Sequence, residues 1–291
     1  VDIADDVEGT GEQRSDEGHG VIVAAAGRDF NGRGQAGMAT ILITGTNRGI
    51  GLEFVRQYAA SGWDVIATCR QPAAALELRA LAAATGRVSI ETLDQADPAD
   101  VAAFAARVAE LELDILLHNA ALLGPGEAQL LGRFDAAAFD AHYRTNALGP
   151  LLLTEALLPA VERGQLRKIV FLGSAAGSTA MLQPPANLYG YRGSKAALHL
   201  MVRNLSIDLK ARGITVALVN PGLVDTRGLL DLPPDDPGPP DLAHLVKLVR
   251  AGLVPLIRAA DSVTGMRLLI DEWTLERTGQ FVNYDGQALP W

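Results

Sequence analysis

Several classes of protein are excluded by what this sequence has little of. It holds a single cysteine, Cys69, which rules out an intrachain disulfide and suits a reducing compartment, so the expected location is the cytoplasm. No base pairs with Cys69 in the pattern, and it reads as a small packed residue rather than a nucleophile. No apolar run reaches the eighteen or so residues that a membrane span needs, and the N-terminal stretch is acidic, unlike a secretory signal. No membrane partner is therefore expected. Basic residues are not in excess: 25 Lys and Arg stand against 34 Asp and Glu, a net charge of −9, which argues against nucleic acid as a partner. The histidines at 19, 118, 142, 199 and 244 show no ligand spacing with cysteine or acids, so no metal site is expected. His118, at a strand end, reads as structural rather than as a base.

What is present is an ordinary globular composition, 48% hydrophobic over 291 residues, enough for a substantial core. Residues 1–37 differ: eight acids, three arginines and one short apolar patch, Val21 to Ala26, cannot repay the entropy of ordering. They are expected to be a disordered leader. Met38 immediately precedes the first strand pattern and position 1 is Val, so part of that leader is expected to reflect a start site placed too far upstream.

From Ala39 onward, short β-branched runs alternate with longer stretches able to form helices. The runs are Thr40 to Thr44, Val65 to Thr68, Val88 to Thr92, Ile115 to Leu117, Lys168 to Leu172 and Thr215 to Val219. This predicts an α/β fold of βαβ units around a mostly parallel sheet, covered by helices on both faces because the runs are almost continuously apolar. Nothing divides residues 38–291 into two domains. The interruption Asp231 to Pro240, with five prolines, predicts a loop, and Asp241 to Ala260 reads as a helix kinked at Pro255.

Thr44-Gly45-Thr46-Asn47-Arg48-Gly49-Ile50-Gly51 lies between the first strand and an amphipathic run, Leu52 to Ala60. Glycines there permit a tight turn and let a pyrophosphate approach the helix N-terminus, where free N–H groups favour an anion. At the end of the second strand an acid would hold a ribose 2′-hydroxyl; this chain has Cys69-Arg70 instead. Arg70, with Arg48, suits the 2′-phosphate of NADP, making NAD the less favoured cofactor. Asp94, after the third strand, could accept from an adenine amino group or cap a helix.

Tyr191 and Lys195 stand four residues apart in a run that reads as helix, so both fall on one face. A neighbouring cation would draw a phenol toward the working pH range. Tyr189, the competing phenol, has Gly193 at its fourth position and no lysine on its face.

Thr44-Gly45-x-x-x-Gly49-x-Gly51, Asn119-Ala120, Asn146, Ser174, Tyr191-x-x-x-Lys195 and Asn220-Pro221-Gly222 occur in an order and spacing that resembles the short-chain dehydrogenase/reductase family. The text around Leu188 to Leu198, and the ending Gly279 to Trp291, resembles the branch of sniffer-type carbonyl reductases and C-signal-like proteins. The resemblance implies one Rossmann-type doubly wound domain with a seven-stranded sheet in the order 3-2-1-4-5-6-7. It implies Tyr191 as general acid, Lys195 as the group that lowers its pKa and binds the nicotinamide ribose, Ser174 as the hydrogen-bond donor to the substrate oxygen, and Asn146 as holder of a relay water. Asn119 would brace the sheet beside the cofactor; Pro221, Gly222, Val224 and Thr226 would line its nicotinamide side. Two departures stand out. The fourth-strand motif is His118-Asn119-Ala120-Ala121, with Ala121 where glycine is usual. Ser174 lies seventeen residues before Tyr191, and Ser178 is a rival at the more usual distance.

Residues 224–240 are expected to form a lid, and Leu122, Leu123, Met181, Leu182 and Leu229 an apolar substrate pocket. The implied activity is NADPH-dependent reduction of an apolar aldehyde or ketone. The alternative is a dinucleotide-binding regulatory or signalling protein of the C-signal-like type. A homodimer or homotetramer is implied by the family, with apolar faces on Leu148 to Val161 and Ala196 to Leu209 available to pack a second copy.

Overall fold

The computed structural model of the chain describes residues 39–183, 187–239 and 242–291; the expected leader, Met38, Pro240 and Asp241 lie outside them. Strand β1 (Thr40–Thr44) is flanked by β2 (Asp64–Cys69) and β4 (Ile115–His118), with Ile41 paired to Val65 on one side and to Ile115 on the other. With β3 (Val88–Thr92), β5 (Lys168–Leu172), β6 (Thr215–Asn220) and a last strand, β9 (Phe281–Asn283), these make a seven-stranded parallel sheet. Its order is β3-β2-β1-β4-β5-β6-β9, the expected one, and it reverses direction between β1 and β4, where such sheets open a crevice.

Both faces of β1 are covered, and its side chains divide by strand alternation. Ile41 and Ile43 join one core with Phe54 of α1 (Gly49–Ala60), Leu78 of α2 (Leu76–Thr85) and Met266 of α8 (Ala259–Glu272). Leu42 joins the other, with Phe104 of α3 (Pro98–Arg107), Leu153 of α5 (Gly149–Arg163) and Val202 of α6 (Tyr189–Asp208). Between β4 and α5, α4 (Ala136–Tyr143) runs into a π-helical turn over Arg144–Leu148.

The segment after β6 departs from expectation. Val224–Asp225 is a short strand, β7, paired in parallel with β8 (Ile257–Arg258) in a separate two-stranded sheet. The single helix expected over Asp241 to Ala260 is two: α7 (Ala243–Arg250) ends just before Gly252, whose φ of 69° is the left-handed conformation that terminates helices, and α8 starts only after β8. Pro255 thus lies in the connection, not in a kinked helix. Among the described residues no helix is long and apolar enough to cross a membrane.

His118 closes β4 as a core residue. Its Nε2 is 2.9 Å from the Thr154 hydroxyl, and its ring stacks on Phe171 at 4.5 Å. Burial lowers its pKa from 6.5 to about 3. An unfolded chain takes up a proton near pH 6.5 that the folded one refuses, so stability is lost as pH falls below that value, by up to about 1.4 kcal/mol per pH unit per such imidazole. His199 is shifted in the same direction. Replacing the pair with His118→Leu and Thr154→Val should reduce by about half the fall in stability between pH 6.5 and 5, measured by urea unfolding; an unchanged slope would reject the assignment.

Candidate active site

The crevice is built where the β1 and β4 carboxyl ends meet. The Thr44 hydroxyl accepts the backbone N–H groups of Asn119 (3.1 Å) and Ala120 (3.0 Å), while Asn119 Nδ2 donates to the carbonyls of Thr44 and Gly45, both at 2.8 Å. Asn119 is thus the brace the sequence suggested. Gly45, at φ 69°, turns the chain; Gly51 packs so closely that a Cβ there would sit 2.1 Å from the Gly45 carbonyl oxygen and 2.5 Å from Asn119 Nδ2. Helix α1 therefore starts with its N-terminus against the end of β1, its amides facing the crevice as anion binding requires.

A cleft of about 720 Å³ opens above this turn. Of the residues expected at the cofactor, Gly45, Asn47, Arg48, Ile50, Gly51, Arg70, Asp94, Asn119, Ala120, Lys195 and Pro221 line it, as do Leu122 and Leu123 of the expected substrate pocket. Arg48 and Arg70 are exposed at its rim, and Cys69 is buried in its wall. Thr46 points elsewhere, donating its hydroxyl to Thr68 O at 3.1 Å. Val224 packs in the core beneath the crevice. Asp94 accepts the Ala96 N–H at 3.0 Å, so it caps a turn as well as facing the cleft. Met181 and Leu182 are solvent-exposed.

Helix α6 carries Tyr191 and Lys195, both buried, one turn apart. Lys195 Nζ donates to the Leu172 carbonyl at 2.9 Å and stands 6.0 Å from the Tyr191 ring centre. Burial lowers its pKa from 10.5 to about 8. Tyr191 behaves differently from the sequence expectation: burial raises the phenol pKa, and the group opposing that shift is Ser174, not Lys195. The phenol makes no well-aligned hydrogen bond among the described residues, so Ser174 is near it without a formed bond. Ser178 is engaged elsewhere, donating to Pro290 O at 2.7 Å. Tyr189 is partly exposed and packs on Phe134.

Asn146 lies in the π-helical turn, a form that often marks functional sites. Its Oδ1 accepts the Leu122 N–H and its Nδ2 donates to Leu122 O, each at 2.7 Å; Nδ2 also donates to the Ser194 hydroxyl at 2.9 Å. Ser194 in turn donates to Tyr191 O at 2.7 Å. Two further residues support the site. Gln129, fully buried, accepts the Tyr191 N–H at 2.8 Å and donates to Leu123 O at 2.7 Å. Asn220 accepts the Ala175 N–H at 3.0 Å and donates to Asn283 Oδ1 at 2.8 Å, joining the Ser174 turn to β9. Asn220 had a signal, its place before Pro221-Gly222; Gln129 sits in an irregular segment with none.

The residues fit a dinucleotide. The glycine cradle admits no Cβ at position 51, the α1 N-terminus and the rim arginines suit phosphates, and a buried lysine lies at the far end of the same cleft. A model of the short chain dehydrogenase family matches residues 39–236, and the chain belongs to that family, whose members are oxidoreductases. Within it, the chain is 36% identical to the C-signal protein of Myxococcus xanthus over 189 residues, 65% of this chain and 99% of that one. Its structure is similar to NADPH-bound carbonyl reductase from chicken fatty liver (29% identity, TM-score 0.73, 87% of this chain and 99% of that one). It is also similar to carbonyl reductase Sniffer of D. melanogaster (26% identity, TM-score 0.72, 87% and 100%). These place it in the sniffer and C-signal-like branch.

Gly51→Ala should force the α1 N-terminus away from β1. The expected result is a loss of about 1–3 kcal/mol of stability together with loss of NADPH binding, read by thermal unfolding and by nucleotide fluorescence; unaltered binding would contradict the cradle.

Proposed function

We propose that this protein is an NADPH-dependent carbonyl reductase acting on an aldehyde or ketone of low polarity. The observation that carries the reading is one cleft running from the glycine turn, past Arg48 and Arg70, to Lys195, with Tyr191 and Ser174 buried beside that lysine. A nicotinamide dinucleotide held in this cleft would supply the hydride. Asn47, Arg48, Gly49, Ile50 and Gly51, at the turn that Gly45 opens, would hold the pyrophosphate by backbone N–H groups, whereas both the Thr46 N–H and hydroxyl are committed to Thr68 O; Arg70 and Arg48 would grip the 2′-phosphate, and Asp94 would take the adenine side. Lys195 would bind the nicotinamide ribose, with Pro221, Gly222 and Thr226 along the nicotinamide, while Val224 is packed in the core.

Ser174 donates to the carbonyl oxygen and steadies charge developing there. Tyr191 gives that oxygen its proton. The phenol pKa is raised by burial and held back by the Ser174 side chain, and the raised value favours the protonated form needed of an acid. Asn146, its amide committed to Leu122 and Ser194, serves the proton relay through its backbone carbonyl. Residues 224–239 of the expected lid would cover the cleft mouth as an anchored segment: Asp225 accepts the N–H groups of Arg227, Leu229 and Leu230, and Asp231 pairs with Arg258, tying this segment to the start of α8.

Tyr191→Phe should lower NADPH oxidation across an aldehyde and ketone panel by about a hundredfold or more, with NADPH affinity retained. Binding without turnover in wild type and variant alike would favour a dinucleotide-binding regulator instead. Arg70→Ala should weaken NADPH by about tenfold or more and leave NADH little changed; equal affinities before and after would reject the NADP preference. With Lys195 losing its charge near pH 8, carbonyl reduction should decline as pH rises through about 8, in a profile of kcat/KM.

A further inference from the structure

One turn beyond Lys195 on α6, His199 is buried where the reading above has no use for it. Its Nε2 accepts the backbone N–H of Ser174 at 3.3 Å. A backbone amide can only donate, so this nitrogen carries the lone pair and the ring proton sits on Nδ1, which has no hydrogen-bond partner among the described residues. The turn wraps the ring closely. A Cβ on Gly173 would lie 3.1 Å from Nε2, and one on Gly177 2.9 Å from Cε1. The imidazole is clamped from behind by Phe281, at 4.7 Å, and by Trp291, at 6.1 Å edge-on. Trp291 is held in turn, its carbonyl accepting the Ala180 N–H at 3.3 Å.

An apolar side chain would fill this space without burying an unpaired Nδ1–H, which is a destabilising defect. What it could not supply is an acceptor for the Ser174 amide. We propose that His199 is a positioning residue: its Nε2 holds the Ser174 backbone N–H and so fixes where the Ser174 hydroxyl stands beside the Tyr191 phenol. The inference rests on the reading of Ser174 and Tyr191 as the partners of the substrate oxygen. Burial, and after it the charge of Lys195, lowers the imidazole pKa to about 3, consistent with a lone pair always available on Nε2.

Two measurements on the full chain test it. In ¹⁵N-histidine spectra, with the His199 signals assigned by their absence in His199→Gln, the expected state at pH 7 is the neutral Nδ1–H tautomer; an Nε2–H tautomer or an imidazolium would overturn the proposal. In kinetics, His199→Met, similar in length but without a strong acceptor, should lower kcat by about tenfold while NADPH affinity and substrate KM stay within about twofold. His199→Gln, whose Oε1 reaches the same place, should recover most of that loss. Equal losses in both variants, or a loss confined to KM, would mean that the ring only fills space. Should the wild type reduce no carbonyl, the proposed activity fails while the tautomer still decides the contact to Ser174.

Discussion

The clasp between Thr44 and Asn119 is the contact on which the crevice depends. Four hydrogen bonds join the ends of β1 and β4 where the sheet order reverses, and they satisfy backbone groups that would otherwise be left open as the strands part. With those ends fixed, Gly51 can press α1 against the Gly45 carbonyl. The helix N-terminus and the mouth of the cleft then occupy one place. Helix α6, which carries Tyr191 and Lys195, is set against the same frame from the other side, because Lys195 Nζ donates to the carbonyl of Leu172 at the end of β5.

Around that frame, Tyr191 and Ser174 are held mainly through their backbones. The Tyr191 N–H goes to Gln129, its carbonyl receives the Ser194 hydroxyl, and the Ser174 and Ala175 N–H groups go to His199 and Asn220. This arrangement leaves the phenol without a formed hydrogen bond among the described residues. A side chain fixed by its backbone and left unpaired at its tip suits the role proposed for Tyr191, since no bond need break before it pairs.

Much of the fold was legible because its signals are local. Six of the seven main-sheet strands coincide with β-branched runs to within a residue at either end, since a strand covered on both faces must be apolar throughout. The stretch from Asp241 to Ala260 misled for a related reason. Its apolar residues suit a helix, but Ile257 pairs with Val224 across more than thirty residues of chain, and no helical periodicity reveals a partner that far away. Gln129 and His199 were missed in the same way: neither belongs to a spaced motif, and each acquires its role only from what folds onto it.

Taken alone, the order of residues determined which groups share a helix face and which turn opens the first helix, because both follow from spacing along a few turns of chain. Tyr191 and Lys195 had to be neighbours once α6 formed. The protonation preference of that phenol was settled only in three dimensions. Desolvation by segments distant in sequence outweighs the opposing Ser174 side chain and raises the pKa rather than lowering it, since burial depends on everything packed around a group and not on its nearest neighbours in the chain.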